Sequence, residues 1–154
     1  YRVTIRADKL RYPVLLANLP APRLRVYPRE TVFAEKLEAI ASLGMTNSRM
    51  KDYFDFWTIG HQFSFDGTIM ADTIRNTFAR RSTPVPSSPP IGLSEVFWAD
   101  TGKQTAWRAF WKKSVAQDPI LSLETVVAFD ACSSPGAVAG QERDPWWRRR
   151  AATR

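Results

Sequence analysis

The residues best suited to chemistry in this sequence include one lysine that lies inside an apolar stripe. Apolar residues recur with a helical period over residues 30–43, and Lys36 falls on the face formed by Phe33, Leu37 and Ile40. The ammonium can reach water along a packed alkyl stem, or it can point at phosphates in a cleft. The stripe alone leaves both interpretations open.

A second group of candidate residues is the charged run that begins at Arg49. Lys51 and Asp55 are spaced i, i+4 and Asp52 and Asp55 are spaced i, i+3, so a helix would place them on one face. Paired carboxylates can hold Mg²⁺ or orient a base. They can equally be a solvated ion pair with an acid favoured near the helix start, and that arrangement contributes only about 0.3–0.5 kcal/mol.

A further basic cluster follows, formed by Arg75, Arg80 and Arg81. Its charges fit either phosphate contact or plain solubility. We include Arg80 and Arg81, beside Lys36 and Arg49, among the candidate phosphate contacts.

Composition excludes several other kinds of site. The chain has 154 residues and a net charge of +7, which favours anionic partners. A single cysteine and a single histidine, Cys132 and His61, exclude zinc fingers and disulfide scaffolds. No P-loop, nucleophile elbow or GxGxxG turn is present, and no apolar run approaches the roughly 20 residues of a membrane span. We therefore expect a soluble, cytoplasmic protein without a membrane partner.

The elements that must position these residues are mainly helices. We predict a helical bundle preceded by a short extended segment over residues 1–29, with strands near 3–5 and 24–27. Asn47 and Ser48 are the expected caps of the second helix, Asp66 that of the third, and Thr101 with Gln104 forms a capping-box spacing. The predicted helices cover 30–43, 49–60, 67–81, 101–118 and 121–129, with an extended Pro-rich connector at 82–93.

The aromatic residues near the fourth helix follow its period, so we predict that they are core rather than a base-stacking platform; they are Trp98, Trp107, Phe110 and Trp111. The helical domain is predicted to span residues 30–131, and residues 132–154 are expected to form a poorly ordered tail. Because the first residue is Tyr1 rather than methionine, we expect a fragment of a longer protein.

Two long strings in the sequence carry a family resemblance. They are residues 27–39, YPRETVFAEKLEA, and residues 47–55, NSRMKDYFD. With shorter matches at 65–67, 77–84 and 107–110, the chain resembles the AbiEii family of nucleotidyltransferase toxins over roughly residues 12–130. The resemblance implies the C-terminal part of an α+β, DNA polymerase β-like nucleotidyltransferase. It also implies an NTP substrate with Mg²⁺, an acceptor such as tRNA, a cognate antitoxin and a role in phage defence.

The same resemblance assigns roles to residues of this chain. It implies that Lys36 contacts the triphosphate, and that Arg49, Lys51, Asp52 and Asp55 are the rest of the helical domain's contribution to the site.

One departure from the family concerns the metal site. The family's metal-binding acids follow a Gly-Gly or Gly-Ser turn in an Asp-x-Asp strand, and this sequence has neither that turn nor that pair. We therefore expect no metal site in this chain and no activity from the chain alone. The alternative function is a non-catalytic helical module that binds RNA or the antitoxin.

Overall fold

The computed structural model describes residues 8–11, 23–115 and 119–128, with side chains from Val26 onward. This part of the chain is mainly helical, as the sequence predicts. An antiparallel strand pair, β1 (Asp8–Arg11) and β2 (Arg23–Val26), precedes the helices. The helices are α1 (Arg29–Leu43), α2 (Met50–Gln62), α3 (Gly67–Arg80), α4 (Glu95–Trp98), α5 (Thr101–Ser114) and α6 (Leu123–Val127).

The strand pair joins Asp8 to Val26 at one end and Arg11 to Arg23 at the other. The strand predicted at 24–27 is therefore confirmed as β2, shifted by one residue. The strand predicted at 3–5 lies outside the described residues. The pattern did not predict β1, because its sequence, DKLR, is mostly charged and only cross-strand pairing supplies its backbone hydrogen bonds.

Local signals place both ends of α1 and the start of α3 well. Pro28 immediately precedes α1, and Gly44, at φ 50°, ends it. Asp66 caps α3 by accepting hydrogen bonds from the Thr68 and Ile69 amides. Each of these starts or ends within about a residue of the prediction.

Two predicted caps are wrong. The residue before α2 is Arg49, which makes no side-chain cap, and Asn47 Oδ1 accepts a hydrogen bond from the Arg49 amide instead. At α5 the cap is Asp100, which accepts from the Lys103 amide, while Thr101 is already helical. An aspartate one residue upstream competes successfully with threonine for the same orphan amides.

The Pro-rich connector contributes to the core, contrary to the prediction. Residues Ile91–Leu93 form a 3₁₀ turn in which Gly92 and Leu93 are buried. A Cβ at Gly92 would lie only 2.7 Å from the Ile40 carbonyl oxygen, so glycine permits the close approach to α1. Prolines end a helical period, but they do not prevent a single apolar turn from packing.

Helix α1 packs against both α2 and α3, and this arrangement fixes the position of the candidate residues. Trp107 and Trp111 are buried, and Trp98 and Phe110 pack against the same core, as predicted. Among the described helices, none is both long and apolar enough to cross a membrane. The predicted tail at 132–154 lies outside the described residues.

Candidate functional site

The contact surface between α1 and α2, which we call the seam, brings Lys36 against both candidate carboxylates. Lys36 Nζ lies 2.5 Å from Asp52 Oδ1 and 3.2 Å from Asp55 Oδ2. The helices are antiparallel, and one turn along the seam the rings of Phe33 and Phe56 stack at 4.4 Å between centroids. The sequence identifies the lysine and the two acids as candidate site residues. The packing of α1 on α2 brings them into contact.

The two carboxylates differ in their access to water. The side chain of Asp52 is 3% exposed, whereas that of Asp55 is 22% exposed. Arg49 Nε lies 2.8 Å from Asp52 Oδ2, a close ion pair that is not aligned as a hydrogen bond. Lys51 donates from the solvent side to Asp55, with an Nζ–Oδ2 distance of 2.6 Å. The solvated ion pair therefore describes Lys51 and Asp55 but not Asp52.

Together these five residues form what we call the charge cluster: Lys36, Arg49, Lys51, Asp52 and Asp55. Three cations surround two carboxylates, so the cluster has one positive charge in excess. The acids hold Lys36 at a fixed place between the helices, while Arg49 and Lys51 remain exposed. Such an arrangement suits the binding of an anion.

The seam also changes the protonation equilibrium of Lys36. Partial burial acts to lower its pKa, but the hydrogen bonds and charges of Asp52 and Asp55 outweigh that effect and raise the pKa above its usual value. The ammonium is thus fully charged at neutral pH.

Sequence reasoning missed the buried polar residues beside the cluster, Asn47 and Tyr53. Both side chains are fully buried, and burial raises the pKa of the Tyr53 hydroxyl, an effect that Asn47 opposes and the Asp52 charge reinforces. Tyr53 stacks on Phe97 with 4.7 Å between the ring centroids. Lys103 Nζ donates a hydrogen bond of 2.8 Å to the backbone carbonyl oxygen of Asn47. In the sequence, only the position of Asn47, three residues before α2, hinted at this network.

Arg80 and Arg81 are not brought into the charge cluster. Arg80 pairs with Glu35 at 2.6 Å, and Arg81 Nε lies 3.6 Å from Glu38. The buried Glu38 also accepts from Thr83 Oγ1 at 2.6 Å. These contacts tie the end of α3 to α1.

The described acids do not fit a magnesium ion. Mg²⁺ requires several oxygen ligands in near-octahedral geometry. Asp52 and Asp55 are instead each held by two cations, and over residues 8–11, 23–115 and 119–128 no group of three or more His, Cys, Asp or Glu could hold a metal. His61 lies in the last turn of α2 and stacks on Trp57 at 5.0 Å.

Comparison with known proteins gives one match. A family model described as nucleotidyl transferase AbiEii toxin, type IV toxin–antitoxin system, matches residues 2–132. No curated protein and no solved structure matches the chain. Because the match covers most of the sequence, the chain belongs to the AbiEii family of nucleotidyltransferase toxins.

Proposed function

We propose that this chain is the substrate-facing helical part of a nucleotidyltransferase toxin, in which the charge cluster binds the phosphates of a nucleoside triphosphate. The nucleotide passes to an acceptor such as tRNA, and the toxin acts with a cognate antitoxin in phage defence. Family membership supports the reaction class.

The observation that carries this proposal is the position of Lys36. Two carboxylates fix its ammonium between α1 and α2, so little conformational entropy is lost when an anion binds. The exposed guanidinium of Arg49 and ammonium of Lys51 provide further contacts for a triphosphate, which carries several negative charges. Asp52 and Asp55 act in this scheme as positioning residues for the cations.

Phosphoryl transfer depends on stabilising the negative charge of the phosphates, usually with metal ions. Because the described acids do not fit Mg²⁺, the proposal gives this chain triphosphate binding and not transfer by itself. The catalytic metal would then be held by residues outside the described helices.

The test is a binding measurement on the full chain with inorganic tripolyphosphate and with ATP, by isothermal titration calorimetry. Lys36→Ala should weaken the binding of both ligands about tenfold or more, since hydrogen bonds to charged groups contribute about 1.5–3 kcal/mol. The matched control is Lys112→Ala, on an exposed position of α5, which should change neither affinity by more than about twofold.

Equal effects of the two variants on affinity would show that Lys36 does not contact the phosphates and that its ammonium only reaches water along a packed stem. The alternative, a non-catalytic module that binds RNA or the antitoxin, predicts that wild-type chain binds a single-stranded RNA and shows no affinity for tripolyphosphate. Thermal unfolding of each variant separates lost binding from lost structure.

A further inference from the structure

A cation–aromatic pair occupies the other end of the seam. The guanidinium carbon of Arg29, the first residue of α1, lies 5.1 Å from the ring centre of Phe63 and 6.0 Å from that of Phe65. Phe63 directly follows α2. The side chain of Arg29 is 51% exposed and Phe63 is 37% exposed, so both present accessible surface. The charge cluster uses neither residue.

The pair and the charge cluster lie on one line along the seam. Moving along antiparallel α1 and α2, Lys36 faces Asp52 and Asp55, Phe33 stacks on Phe56, and Arg29 then covers Phe63. Arg29 and Lys36 are seven residues apart on the same helix face, which corresponds to about 10.5 Å along the axis. This separation is comparable to the span of an extended nucleoside triphosphate from its base to its terminal phosphates.

The chemistry of the pair suits a flat ring. Nucleobases stack on aromatic side chains and on the planes of arginine guanidinium groups. Glu30 opposes the Arg29 charge only through an exposed contact of 3.4 Å. We propose that Arg29 and Phe63 form a subsite on which the nucleobase of the triphosphate stacks. This inference rests on the proposed function, because the phosphates of the same ligand must occupy the charge cluster.

The test compares ligands with and without a base, again on the full chain. Phe63→Ala should weaken ATP and UTP binding about tenfold, which corresponds to about 1.4 kcal/mol, and should leave inorganic tripolyphosphate unchanged. The matched control, Val96→Ala, truncates a more exposed apolar side chain on α4. It should change the affinity for neither the nucleotides nor tripolyphosphate. Phe63→Trp keeps an aromatic ring and should retain ATP binding, which guards against a mere folding defect.

Arginine can be tested in the same way. Arg29→Lys keeps the positive charge but loses the planar guanidinium group. It should therefore weaken ATP binding several-fold and leave tripolyphosphate binding unchanged. Arg75→Lys is its matched control, because Arg75 is also exposed, at 65% of its side chain, and also pairs with a nearby acid, Asp72.

Four outcomes would overturn the subsite. Phe63→Ala could weaken tripolyphosphate as much as ATP, which would make Phe63 a structural residue. It could leave ATP unchanged while Lys36→Ala weakens both ligands, in which case the proposed function stands without this subsite. It could weaken binding of a short single-stranded RNA and not of the triphosphates, which would mean that Arg29 and Phe63 contact the acceptor. If Lys36→Ala leaves tripolyphosphate binding intact, the proposed function fails and the inference fails with it.

Discussion

Replacing Asp52 by alanine should destabilise the protein more than replacing Asp55, although the two acids are one helical turn apart. Breaking a fully buried ion pair by removing one partner costs about 3–5 kcal/mol. Here Lys36 keeps a second carboxylate at 3.2 Å and some contact with water, so the cost for Asp52→Ala should be about 2 kcal/mol. Asp55→Ala should cost about 1 kcal/mol or less, because its main partner, Lys51, is exposed.

The assay is thermal unfolding of the full chain at neutral pH, followed by circular dichroism. For a protein of this size about 1 kcal/mol corresponds to about 2–4 °C, so Asp52→Ala should lower the Tm by about 4–8 °C and Asp55→Ala by about 4 °C or less. A double variant, Lys36→Met with Asp52→Leu, should recover most of the loss, since apolar residues of similar volume often replace a buried pair without cost.

Equal and small shifts for the two alanine variants would refute the reasoning, because they would mean that Asp52 is not a buried partner of Lys36. A double variant less stable than Asp52→Ala alone would refute it as well. The two outcomes test burial and pairing separately. Because the double variant lacks the Lys36 ammonium, it should not bind tripolyphosphate even when its stability recovers.

Three other predictions concern the same fold. Incubated with Mg²⁺, labelled triphosphates and total tRNA, the chain alone should transfer no nucleotide above a no-protein control; transfer would contradict the proposed absence of a metal site. The pKa values of Lys36 and Tyr53 are both raised on folding, so the unfolded chain loses these protons first, and the free energy of unfolding should hold steady up to about pH 10 and fall above it. Tyr53→Phe should make that fall with pH shallower. If urea titrations at several pH values gave the same dependence of the free energy of unfolding on pH for this variant and for wild type, the contribution assigned to the buried hydroxyl would be wrong. Gly92→Ala should lower stability by about 1–3 kcal/mol, because its Cβ would meet the Ile40 backbone, whereas Gly102→Ala, which meets only the Asp100 side chain at 3.1 Å, should stay within about 1 kcal/mol in the same melts.

Local sequence signals are sufficient for α1 and for the start of α3. The helical period, Pro28 and Gly44 predict α1 to within a residue, and Asp66 predicts the start of α3. Those signals act between residues a few positions apart, so no tertiary contact is needed to read them. The same period placed Lys36 on an apolar face, and two sequence strings identified the family that the match over residues 2–132 confirms.

Tertiary structure decided what faces each charge. The spacing of Asp52 and Asp55 gives them one helix face, but only the packing of α1 on α2 buries one acid and leaves the other accessible. The pairing of Arg80 with Glu35 and the burial of Gly92 against α1 follow from long-range contacts in the same way. Periodicity along a helix specifies which side chains share a face, whereas burial and ion pairing depend on the element across from that face, which a local pattern does not encode.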